Sequence, residues 1–150
     1  MATPLILRPV LVGVDGSPES SVAASWAIEE AERRHVPLIA MLVWSYIDQP
    51  RDGFDPGFTE ADADAALEQF LTSAVGDDLA ATVERRVVCD RPARGLLEAA
   101  ADMQLLVVGA RGAGGFAGLR LGSVAGRVAR SGTVRPVWGG VPAPRPGGGW

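Results

Sequence analysis

At 150 residues, 47% apolar and 21% charged, the chain has the size and mix of one globular domain, which excludes a disordered or fibrous class. A single cysteine, Cys89, excludes an internal disulfide, and no apolar run reaches bilayer length, so the expected location is the cytoplasm. The net charge of −4 hides a split: residues 1–102 hold all 18 acids with eight arginines, residues 103–150 hold six arginines and no acid, and lysine is absent throughout. That asymmetry suits a small anionic ligand; six arginines without interleaved aromatics are a thin footprint for nucleic acid.

Residues 1–8 read as a leader into a strand rather than a signal peptide, since Pro4, Arg8 and Pro9 interrupt the apolar stretch. "PVLVGV" (9–14) is continuous and β-branched, the mark of a buried strand, and it ends at the turn signal "DGSP". Ser17 is the expected N-cap of a helix with Pro18 at its first position and Glu19 in its first turn. Val22, Ala23, Trp26, Ala27 and Ala31 then recur at helical spacing as far as His35 and Pro37. "PLIAMLVW" (37–44) is a second buried strand, and residues 45–58 are a loop rich in Pro, Gly and Asp. Thr59 caps the next helix, with Asp62 three residues on and Ala66, Leu67, Phe70, Leu71 and Val75 as its apolar face.

"ATVERRVV" (81–88) is a weaker strand, "PARGLLEAAAD" (92–102) a short helix and "LLVVG" (105–109) a fourth strand. "SVAGRVARSG" (123–132) reads as a helix, "VRPVW" (134–138) as a last short strand, and 139–150 as a disordered Pro/Gly tail. Strands alternating with helices imply a parallel sheet covered on both faces, so residues 9–138 form one doubly wound α/β domain.

Ligands of such sheets bind beyond the carboxyl ends of the strands. Two strands here end in unusual loops, "GVDGS" and "GARGAGG". The stretch "VVGARGAGGFAGLRLGS" (107–123) holds six glycines, two arginines and no acid. Its spacing is Gly109-x2-Gly112-x9-Gly122-Ser123. Glycines let a backbone approach a phosphate without a Cβ, and the N–H groups at a helix start attract anionic oxygens. Arg111 sits between the first two glycines, and Ser123 has a hydroxyl to donate. A P-loop needs a lysine and is excluded. "GAGGFA" (112–117) fits the dinucleotide pattern in form, but no acid follows Asp102 to meet a ribose.

The glycine spacing after "VVG", together with "VLVGVDGSPES" and "RPARGLLEAAADMQLLVVGARG", resembles the ATP-binding branch of the universal stress protein family over residues 8–138. The resemblance implies a five-stranded parallel sheet in the order 3-2-1-4-5, with ATP across strands 1 and 4. It places Asp15 near the ribose, the phosphates and a magnesium ion, with Val14 and Val43 against the adenine. It assigns Val108, Gly109, Arg111 and Gly112 to the first half of a phosphate loop and Gly122, Ser123 and Val124 to the second. Two positions depart from the pattern. Ala125 stands where ATP-binding relatives often carry a hydroxyl, which removes one γ-phosphate contact, and the short "VRPVWGG" puts the family's strand-paired homodimer in doubt.

Each of these residues also has a plain structural reading. Asp15 suits a turn, Ser123 a helix cap, Arg111 and His35 the surface, Cys89 a small buried or edge position, and Trp26 and Trp44 the core. With one histidine on the wrong helix and no Cys/His cluster, catalysis has few groups to work with. The expectation is therefore a stress-response module that binds ATP with little or no turnover and needs neither nucleic acid nor membrane. The alternatives are a slow ATP-hydrolysing or autophosphorylating enzyme and a scaffold that binds nothing.

Overall fold

The computed structural model describes residues 3–44, 59–109 and 136–138; the expected loop 45–58, the helix 123–132 and the tail 139–150 with Trp150 lie outside the described residues. A short 3-10 turn, Leu5–Leu7, leads into strand β1, Val10–Gly13. Helix α1, Pro18–Arg34, follows, then β2, Leu38–Trp44, and α2, Glu60–Val75. The chain continues through a single-turn helix α3 (Asp77–Ala80), β3 (Glu84–Cys89), α4 (Pro92–Ala100) and β4 (Leu105–Val108). The four strands run parallel in the order β3-β2-β1-β4, and Pro136–Trp138 (β5) pairs parallel to the outer side of β4, from Leu106↔Pro136 to Val108↔Trp138.

The inner strands are buried along their whole length, as their continuous apolar runs require. Side chains alternate across the sheet. Val10, Val12, Leu38, Ala40, Leu42 and Val107 pack with Ala23, Ala24, Ala27 and Ile28 of α1 and Leu67 and Leu71 of α2. Leu11, Ile39, Met41, Val43, Leu106 and Val108 pack on the other face with Leu96 and Ala100 of α4. Trp44 is buried and Trp26 partly so. Gly13 and Gly95 permit the close approach of α4: a Cβ on Gly13 would lie 3.0 Å from Leu96 Cδ1, and one on Gly95 3.0 Å from Val43 Cγ1.

Local signals set the helix ends. Ser17 caps α1 by accepting from the Ser20 N–H, and Pro18 needs no partner for a missing donor. Thr59 and Asp62 form a reciprocal capping box at the start of α2. His35 closes α1 in the left-handed conformation at φ 56°, its N–H reaching the Ala31 and Glu32 carbonyls, and its side chain is exposed. Three expectations shift. Val22 is 39% exposed, because the buried stripe of α1 runs through Ser20, Ala23, Ala24, Ala27, Ile28 and Ala31 instead. The third strand starts at Glu84 rather than 81, since Gly76 at φ 87° and two aspartates in the following turn wind residues 77–80 into α3. α4 ends at Ala100, where the Asp102 and Met103 N–H groups turn back to Ala99 and Ala100. Cys89 is exposed at the end of the edge strand. Among the described residues no helix is long and apolar enough to cross a membrane.

The amino end of the sheet is tied by a polar clasp. Glu30, buried to 7% exposure, accepts from Arg33 and, at 2.7 Å, from Arg34. Arg34 also donates to Gln104, and Gln104 donates to the carbonyls of Arg8 and Ile6. The bonds from Arg33 come first in holding the Glu30 carboxyl below the ordinary 4.5; burial opposes them, and Arg34 adds to them. A lowered folded value means that the stabilisation is complete above the unfolded value and is lost as pH falls through the folded one. Glu30→Gln is therefore expected to lower stability at neutral pH, and its gap from wild type should narrow steadily as pH drops below 4.5; urea denaturation across that range measures it.

Candidate functional site

Polar groups gather at the carboxyl ends of β1 and β4, where the strand order reverses. β1 runs on through Val14, whose N–H still reaches the Met41 carbonyl, into the tight turn Asp15-Gly16-Ser17, with Gly16 at φ 76°. Asp15 is 1% exposed, and its Oδ1 accepts from both the backbone N–H and the hydroxyl of Ser17. The Ser20 hydroxyl in turn donates to the Ser17 carbonyl at 3.0 Å. An Asx turn and a helix cap are thus fused, and the Asp15 carboxylate is built into the fold.

The chain leaves β4 at Gly109, which packs against this same helix start. A Cβ on Gly109 would sit 3.0 Å from the backbone carbon of Glu19, 3.2 Å from its oxygen and 3.1 Å from its Cβ. The fold therefore brings together Asp15 and Gly109, which the sequence singled out separately. Val14, Val43 and Val108 lie at the same end of the sheet and are all buried, but on different faces: Val14 packs with α1 and α2, Val43 and Val108 with α4. Arg111, Gly112, Gly122, Ser123 and Val124 lie outside the described residues, as does Ala125.

Several donors at the start of α1 are already committed or absent. Pro18 has no N–H, the Ser20 N–H is taken by Ser17 Oγ, and the Glu19 carboxylate occupies the first turn. Sequence reading missed Glu19 as anything more than a complement to the helix dipole. Its Oε2 is buried without a hydrogen-bond partner, a feature that no periodicity or motif signals. Among the described residues no three His, Cys, Asp or Glu side chains cluster to hold a metal. A wider groove between α2 and β3 is lined by Asp64, Arg85 and Arg86, but the Arg85 guanidinium is already held by Asp64 at 3.0 Å.

Comparison with known proteins gives a consistent picture. The model of the universal stress protein family matches residues 7–138. A universal stress protein of Mycobacterium tuberculosis is 42% identical over 127 residues, which cover 84% of this chain and 43% of that protein. Another from the same organism is 41% identical over 140 residues, covering 89% of this chain and 44% of its own length. The chain thus spans less than half of these relatives. A universal stress protein crystallised in complex with cAMP is 28% identical and superposes with a TM-score of 0.62, covering 87% of this chain and 95% of that one.

The contact at Gly109 has a direct consequence. Gly109→Ala presses a methyl group against backbone, which cannot turn aside, and is expected to cost about 1–3 kcal/mol in urea denaturation. Gly95→Ala should cost less, because Val43 methyls can yield and alanine adds about 0.5–1 kcal/mol of helix preference.

Proposed function

Because the chain belongs to the universal stress protein family, we propose that it is a regulatory module that binds ATP between the carboxyl ends of β1 and β4 and turns it over slowly or not at all. The observation that carries this reading is the seat of Gly109 on the first turn of α1, which sets the exit of β4 beside the buried Asp15 turn. The phosphates fall to the glycine-rich segment after β4: Gly109, Arg111, Gly112, Gly122, Ser123 and Val124. Val43 and Val108 offer the adenine an apolar wall on the α4 side, which Val14 joins through its main chain. Asp15 faces the ribose and a phosphate-held magnesium ion, which would spread the charge of the phosphates.

Low turnover follows from the chemistry in reach. His35, the single histidine, sits at the far end of α1 as its C-cap, remote from the strand ends where a nucleotide would lie. A nucleotide held without a placed base changes stability or partner choice rather than being consumed. We take residues 9–138 as the functional domain in a cytoplasmic protein, 139–150 as its tail, and Pro136–Trp138 as the fifth strand along which two copies would pair. A cyclic nucleotide is the second reading, favoured by the relative crystallised with cAMP.

Thermal denaturation with each ligand tests the proposal. Mg-ATP at about 100 times its Kd should add about 2.7 kcal/mol of stability. Gly122→Val should erase that gain while leaving the ligand-free melting temperature in place. ADP release should stay far below the rate of about 10 per second typical of enzymes. An unmoved melting temperature with ATP would sink the reading, and a rise with cAMP alone would favour the second one.

A further inference from the structure

β3 is the outermost strand of the sheet, and among the described residues it pairs only with β2, without a break from Ile39↔Glu84 to Trp44↔Cys89. Its far edge therefore carries backbone N–H and C=O groups with no described strand beside them. Sheets commonly blunt such an edge with proline, a bulge or a row of charges, and β3 has neither proline nor bulge. The groove between α2 and β3 is lined by the consecutive residues Arg85, Arg86, Val87 and Val88, with Glu60, Ala61 and Asp64 opposite. Neighbouring strand residues point to opposite faces, so this groove takes in the edge itself and leaves it accessible.

The charges on β3 are arranged to match the same strand inverted. Arg85 and Val87 face α2: Arg85 is held by Asp64 at 3.0 Å with Glu68 beside it, and Val87 packs on the core there. Glu84, Arg86 and Val88 face the α4 side, where Val88 packs and Arg86 donates to Glu84 at 3.3 Å. Laid antiparallel on a second copy about Arg85, Glu84 stands opposite Arg86 of that copy, and Arg86 opposite its Glu84. Val83 meets Val87 and Thr82 meets Val88, β-branched pairs suited to a ladder. Every pair joins residues of the same face, so the helix layers stay on their own sides. The two Arg85 side chains meet at the axis, each answered by the acids of its own α2.

We propose that the outer edge of β3 is a self-recognition surface, which pairs antiparallel with the same edge of a second copy about a two-fold axis at Arg85. The surface lies across the sheet from Pro136–Trp138 and does not depend on the nucleotide reading. The contact is isologous, so it closes a dimer without using β5.

The single cysteine tests this without any variant, because Cys89 is exposed at the end of β3. In the proposed register Cys89 stands opposite Ala81, which sets the two cysteines about 27 Å apart at the rise of a strand. Pairing along β5 would put about nine strand spacings between them, about 43 Å. Dipolar electron spin resonance on nitroxide-labelled Cys89 should return the shorter distance. The longer distance overturns the proposal, and so does a protein that stays monomeric in sedimentation up to millimolar concentration. Charge reversal tests the register. Glu84→Arg and Arg86→Glu should each weaken association about tenfold, because two attractive pairs become repulsive. Mixing the two variants in equal amounts should restore it, since opposite charges then face each other at both positions. A mixture that associates no better than its components overturns the proposal, because a Glu84–Arg86 pair acting only within one chain is lost in both variants and mixing cannot recover it.

Discussion

The middle strand of this sheet has no wet face, and that constraint organises the rest of the molecule. Val10, Leu11 and Val12 are all at 0% exposure, with their side chains sent alternately to α1 and α2 and to α4. Burying each such side chain contributes about 1.5–3 kcal/mol, so the strand is held by many equal contacts rather than by any one bond. Parallel pairing adds a demand of its own. Each connection must cross over a face of the sheet, which supplies the helices that the apolar faces need. The fit is close: where α4 meets β1 and β2, a Cβ on Gly13 or Gly95 would press on Leu96 or Val43.

With both faces closed, polar chemistry is confined to the ends of the strands, and the two ends differ. The amino end is a clasp: Glu30, Arg34 and Gln104 join the tail of α1 to the entry of β4 and to the chain before β1. Its groups are paired, and it reads as stability. At the carboxyl end Asp15, Ser17 and Ser20 are also bonded, but Glu19 keeps an unsatisfied oxygen and Gly109 offers bare backbone beside it. Satisfied polar groups hold a fold; unsatisfied ones near a chain reversal are where a ligand can gain binding energy.

Membership of the universal stress protein family constrains the fold more tightly than the ligand. The mycobacterial relatives are more than twice as long as the segment they share with this chain, so their activities as whole proteins do not transfer to it directly. The relative crystallised with cAMP is close to this chain in length and architecture.

Much of this was legible in the letters. The runs at 10–13, 38–44 and 105–108 announced buried strands because two-sided burial leaves no polar alternation. Ser17-Pro18-Glu19 and Thr59 with Asp62 fixed the helix starts, since a cap is a bond between residues three apart. The resemblance to a family singled out Asp15 and Gly109, which the fold brings to the same strand ends. Hidden from the sequence were the drift of the buried stripe on α1 that leaves Val22 in water, the turn of α3 before β3, the split of Val14 from Val43 across the sheet, and the pressing of Glu19 onto Gly109. The sequence by itself determined what neighbouring residues decide among themselves, namely period, caps and turns. Only the tertiary structure decided which helix face meets which strand end, because that depends on how elements remote in the chain pack at van der Waals distance, and no local pattern encodes the contact.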